Sequence, residues 1–118
     1  DQLYILAQQN RRLRRLEKHV DYVITDSPLL LSIIYASTYP SSLHQLVMDL
    51  YWQYDNKLFY LKRNKPYEKY GRTQTLEEAV DLDKSIKKML KKRKIPYEEI
   101  LGDKDAPVEI FDKLFEIE

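Results

Sequence analysis

Leucines recur at positions 3, 6, 13 and 16, spacings that fit a 3.6-residue period and predict a helix over residues 2–18. Arg11, Arg12, Arg14 and Arg15 gather toward its end, where cations suit the helix dipole. Residues 20–25 read Val-Asp-Tyr-Val-Ile-Thr, a β-branched and aromatic run that predicts a buried strand ending at Asp26. Pro28 fits the first turn of a helix continuing over residues 29–37. Pro40 precedes another helix, for which Ser42 and Gln45 suggest a capping box and Leu43, Leu46, Val47, Leu50 and Tyr54 an apolar stripe. Asp55-Asn56 predicts a turn and residues 57–62 a second strand, followed by a polar loop over 63–74 with Pro66 and Gly71. Thr75 and Glu78 form a second capping box, opening a long helix with Ala79, Leu82, Ile86 and Leu90 inward. Pro96 ends it, residues 97–101 predict a third strand, residues 102–105 a turn, and residues 106–117 a last helix with Ile110, Leu114 and Ile117 on one face.

Strands separated by helices imply parallel pairing, because a parallel connection needs a long crossover, and an α/β layered fold. The length of 118 residues suits a single domain. Hydrophobic residues at 43% and charged residues at 33% exclude a disordered chain. With 20 Lys+Arg against 19 Asp+Glu, the chain lacks the basic excess usual in a nucleic-acid binder. The absence of cysteine excludes disulfides and thiolate metal sites and fits a cytoplasmic location. No apolar run approaches the ~20 residues that span a bilayer, so no membrane partner is expected. The chain opens on Asp1 inside a helical pattern, which leads to the expectation of further sequence upstream.

In open α/β sheets, ligands bind beyond the carboxyl ends of the strands. Asp26-Ser27-Pro28, the 63–74 loop and the turn at Gly102 leave those ends here. A carboxylate at such a place serves Mg²⁺ or orients an attacking hydroxyl, and basic loop residues neutralise a transferring phosphoryl group. Asp26 equally suits a helix N-cap. Arg63 and Arg72 equally suit a solvated loop, and Lys65 and Tyr67 either substrate contact or loop packing. The run from Lys84 to Lys94 reads as a solvated face. His19 and His44 have no ligand-spaced partner, and the ten tyrosines read as packing residues at the edge of the core.

The stretch from Val20 to Leu29 resembles the Walker B strand of P-loop nucleoside and nucleotide kinases, and in particular the small kinase-like ATP-binding proteins common in phages. Leu58-Phe59-Tyr60-Leu61-Lys62-Arg63, Lys65-Pro66-Tyr67 and Gly71-Arg72-Thr73-Gln74-Thr75 resemble the strand and lid of the same group, with the lid at about 63–75. The resemblance implies a three-layer P-loop kinase-like parallel sheet with flanking helices. It implies ATP and Mg²⁺ as cofactors of the complete domain, Asp26 as the acid that serves the metal or the acceptor hydroxyl, and Ser27 beside it at the substrate. Arg63 and Arg72 would close on phosphates, Gly102 and Asp103 would border the base, and the opening helix with Gln8, Arg11 and Arg12 would border the acceptor.

One departure qualifies this resemblance. The P-loop motif G-x-x-x-x-G-K-[ST] occurs nowhere in the chain, whose two glycines are Gly71 and Gly102. In the kinase fold the strand leading into that loop lies between the Asp26 strand and the Leu58 strand, so the N-terminal strands are expected to be missing from the chain as given. The expectation is an ATP-dependent phosphoryl transferase of nucleoside or nucleotide kinase type, truncated and inactive as it stands, acting on a nucleotide or another small acceptor. The alternative is a non-catalytic, P-loop-derived binding or inhibitor protein, phage-encoded, that engages a protein partner or a second copy of itself through an open sheet.

Overall fold

The computed structural model describes residues 1–63 and 75–115. The elements in order are α1 (Gln2–Leu16), α2 (Leu31–Tyr35), α3 (Ser41–Tyr51), β1 (Phe59–Lys62), α4 (Leu76–Lys92), β2 (Glu98–Leu101) and α5 (Ala106–Leu114). The chain divides into two compact units, Asp1–Asn56 and Lys57–Glu118. Of the expected 63–75 lid, residues 64–74 lie outside the described residues, and so does Ile117.

The first unit packs three helices. Asp1 caps α1, its carboxylate accepting from the amides of Leu3 at 2.9 Å and Tyr4 at 3.5 Å, while Arg14 and Arg15 meet the negative end of the dipole. The leucine periodicity identifies the helix, but within it Leu6 alone is buried; Leu3 and Leu16 are exposed. The core is built by Leu6, Leu29, Leu30, Ile33, Ala36, Leu43, Val47, Met48 and Tyr51. On α3 the inward face therefore carries Met48 and Tyr51 in place of the expected Leu46, which is exposed. The expected Ser42–Gln45 capping box is absent. Pro40 occupies the cap position, no side-chain cap bond forms, and the Gln45 side-chain Nε2 instead donates to Asp49 one turn on.

The largest difference concerns residues 20–25. They are not a strand, form no ladder with any described residue, and are exposed, Ile24 at 91%. A strand needs a neighbour for its backbone donors and acceptors. Among the described residues none forms a ladder with residues 20–25.

The second unit is a β-α-β crossover. β1 and β2 pair in parallel, with Phe59 opposite Glu98 and Lys62 opposite Leu101, and α4 makes the connection. Thr75 caps α4 as expected, its hydroxyl accepting from the Glu78 amide at 3.1 Å. Ala79, Met89 and Leu90 are buried, and Leu82 and Ile86 are half-buried. The helix ends in a Schellman motif. Lys94 takes a positive φ of 54°, its amide donates to the Lys91 carbonyl at 3.2 Å, and the Ile95 amide donates to the Leu90 carbonyl at 3.0 Å. Leu90 and Ile95 are both buried, as the motif's hydrophobic contact requires.

Successive strand residues face opposite sides, and Glu98 and Glu99 use both. Glu99 ion-pairs with Lys87 of α4 at 2.6 Å, and Glu98 with Lys113 of α5 at 3.0 Å. Hydrogen bonding to Lys87 lowers the Glu99 carboxyl and raises the Lys87 ammonium, which also stands 4.9 Å above the Tyr60 ring. The sheet's parallel pairing agrees with the α/β fold expected from element order.

Burial separates two substitutions sharply. Leu30, 1% exposed, should cost about 2–5 kcal/mol when changed to alanine, whereas Ile24→Ala should stay within about 0.5 kcal/mol. Urea denaturation followed by circular dichroism measures both. Equal losses would show that residues 20–25 are packed inside.

Candidate functional site

In the first unit, α1 presents Gln2, Ile5 and Gln9 at i, i+3 and i+7, one face of a helix. From Ser27 the chain turns into α2 through bonds from the Leu31 amide to the Pro28 carbonyl and from the Ser32 amide to the Leu29 carbonyl, each 3.0 Å. This places Ser27, Leu31, Ser32 and Tyr35 opposite the α1 face, and the two sets line a cleft of about 300 Å³. Ser32 is 3% exposed, a polar group built into the wall.

Asp26 sits at the entrance to this turn. The Ser27 amide donates to the Thr25 hydroxyl at 3.0 Å, and the Ser27 hydroxyl donates to Asp26 Oδ1 at 3.1 Å. Asp26 is not a helix cap, because α2 begins at Leu31 with Leu30 in the cap position and no side-chain cap bond. Its exposed carboxylate is therefore held by Ser27 and not consumed by the helix. Arg11 and Arg12 are exposed on α1 and do not line the cleft, and Gln8 is turned to the Tyr4 hydroxyl at 2.9 Å. Sequence reasoning chose these three and missed Gln2, Gln9, Ser32 and Tyr35. The i, i+3, i+7 spacing of Gln2, Ile5 and Gln9 was the available signal, hidden because the leucine pattern drew the inward face elsewhere.

In the second unit, Arg63 leaves the end of β1 and its guanidinium forks onto the Asp83 carboxylate of α4, with Nη2 3.3 Å from Oδ1. The hydrogen bond to Asp83 is the main cause that raises the Arg63 guanidinium above its ordinary value. Phosphate oxygens offer the same fork an equivalent partner. Gly102 extends the ladder past β2. Its amide donates to the Lys62 carbonyl at 2.9 Å, and a Cβ there would stand 2.9 Å from the same oxygen. Its glycine identity is thus explained by backbone approach. Asp103 orders the following turn, its Oδ1 accepting from the Asp105 amide at 2.9 Å. Lys65, Tyr67 and Arg72 lie outside the described residues.

His44 is structural, its Nε2 lying 2.7 Å from the Ala36 carbonyl. Lys84, Lys87, Lys88, Lys91 and Lys92 line a shallow groove along α4, as a solvated face would. Among the described residues no group of three or more His, Asp or Glu side chains could hold a metal ion. A single exposed carboxylate such as Asp26 does suit Mg²⁺ brought in by a nucleotide, because phosphates and water complete its shell.

The model of the AAA domain family matches residues 2–106. The chain belongs to that family. It is thus a P-loop NTPase-type, nucleotide-binding domain, of a class that generally binds ATP with Mg²⁺. No curated protein and no solved structure matches the chain. The parallel crossover of the second unit is what an AAA-type α/β domain requires. No helix among the described residues is long and apolar enough to cross a membrane.

The close approach at Gly102 makes a direct prediction. Gly102→Val forces β2 away from Lys62 and should lower the unfolding free energy by about 1–3 kcal/mol, as measured by urea denaturation. A loss below about 0.5 kcal/mol, the range of unremarkable surface changes, would contradict the ladder's continuation through Gly102.

Proposed function

We propose that this AAA-family chain is part of an ATP-dependent phosphoryl transferase of the nucleoside or nucleotide kinase type. The observation that carries the reading is the Asp26–Ser27 pair, an uncapped carboxylate bonded by the hydroxyl of Ser27, which itself lines the cleft of about 300 Å³. A three-layer sheet belongs to the same reading, supported by the ion pairs that leave β2 on both sides.

MgATP supplies the phosphoryl group and part of its charge neutralisation. Asp26 orients the acceptor hydroxyl and takes its proton as that oxygen bonds to the γ-phosphorus. The bond from phosphorus to the bridging oxygen breaks, and ADP leaves with its electron pair. Within the second unit, the Arg63 guanidinium held by Asp83 is suited to an anionic phosphate, and Gly102 and Asp103 to the edge of a base. Because the 118 residues contain no G-x-x-x-x-G-K-[ST], the chain alone is expected to transfer phosphate negligibly.

A second reading has its own observation. The apolar residues Val20, Val23 and Ile24 are exposed, which suits strand addition by a protein partner and a non-catalytic, phage-type binding role.

The test is transfer from γ-labelled ATP to a panel of nucleosides, nucleotides and small alcohols by the gene product that contains this chain. Asp26→Asn should lower kcat by about 10²- to 10⁴-fold with the circular dichroism spectrum unchanged. Full activity in Asp26→Asn, or hydrolysis of ATP with no phosphorylated acceptor, would leave the binding-protein reading in its place.

A further inference from the structure

Resting on the phosphoryl-transfer reading, we propose that the α1–α2 cleft takes an uncharged, planar acceptor of the nucleoside class, with its base among Gln2, Gln9 and Tyr35 and its hydroxyl end at Asp26.

The wall determines the class of ligand. Its seven residues, Gln2, Ile5, Gln9, Ser27, Leu31, Ser32 and Tyr35, are all uncharged. Two carboxylates among the described residues are tied to it, Asp26 through the Ser27 hydroxyl and Asp1 through the Tyr39 hydroxyl that accepts from the Gln2 backbone amide. A phosphorylated acceptor seated here would bring its own charge beside a carboxylate with no cation in the wall, and an uncompensated charge leaves water at high cost. A neutral acceptor meets no such penalty.

The polar groups fit a base edge. Each glutamine offers a carbonyl acceptor and an amide with two donors, which suits the mixed donor and acceptor edge of a heterocycle. Ile5 and Leu31 supply apolar cover, and the half-exposed Tyr35 ring supplies a face on which a flat ring stacks. The volume of about 300 Å³ sits at the low end for small-molecule sites, room for a single small ligand. The α1 side of the cleft is braced, since the Gln2 amide donates to the Tyr39 hydroxyl at 3.2 Å and that hydroxyl donates to Asp1 at 3.3 Å. Arg12 lies one turn beyond Gln9 but is exposed and outside the wall.

The experiment is calorimetric titration of the 118-residue chain, without ATP, with each common nucleoside and its 5′-monophosphate. At least one nucleoside should bind, and its monophosphate should bind about tenfold more weakly or worse. Gln9→Leu leaves a ligand group unpaired and should weaken the nucleoside by about tenfold or more, while Gln45→Leu, a carboxamide outside the cleft, should not. Thermal unfolding of each variant shows that it is folded. A monophosphate that binds more tightly than its nucleoside, no nucleoside binding by the folded chain, or an unaffected Gln9→Leu would each overturn the assignment. Nucleoside binding in a gene product that transfers no phosphate would keep the cleft and sink the kinase reading. Transfer to phosphorylated acceptors alone would do the reverse.

Discussion

Two parallel strands cannot be joined by a tight turn, and the second unit is arranged around that constraint. α4 spans the distance from β1 to β2, and each of its ends is fixed by local chemistry. Thr75 satisfies the first turn, and Lys94, in a left-handed conformation, closes the last. The ladder then sets everything that leaves it. It delivers Arg63 to Asp83, brings Gly102 against the Lys62 carbonyl, and sends Glu98 and Glu99 to ion pairs on α5 and α4. These pairs are partly solvated and add little energy individually, so they orient the helices more than they hold them.

The first unit poses the opposite case. It carries Asp26 on a segment with strand composition and no ladder to any described residue. Asp26 is nevertheless placed, because the Thr25–Ser27 turn and the buried Leu29 and Leu30 behind it fix where the segment ends. Burial of the residues after Pro28 does the work that strand pairing does elsewhere. The cleft follows from the same packing, since α2 must lie against the face of α1 that bears Gln2, Ile5 and Gln9.

Local signals were legible in the sequence wherever the interaction they report is itself local. The Thr75 cap, the extent of α4, the parallel order of residues 59–62 and 98–101 and the Gly102 turn follow from capping, periodicity and composition. Signals whose meaning depends on a distant neighbour were not. Residues 20–25 have the composition of a buried strand, yet composition does not supply a partner. Ser42 and Gln45 have capping-box spacing, yet Pro40 takes the cap and Gln45 turns to Asp49. In the candidate site, Asp26 and Ser27 were readable from their place at the end of an apolar run. Gln2, Gln9 and Tyr35 acquire meaning only when two helices meet, which no single periodicity states.

The account depends on residues 59–62 and 98–102 forming a ladder and on residues 20–25 forming none with any described residue. Amide hydrogen exchange of the 118-residue chain, read residue by residue by NMR, measures this directly. Ile100 and Gly102 should exchange slowly, inside the β1–β2 ladder, and Val23 and Ile24 should exchange near the rate of an unprotected chain. Protection of Ile24 equal to that of Ile100 would place residues 20–25 in a ladder of their own and contradict the account.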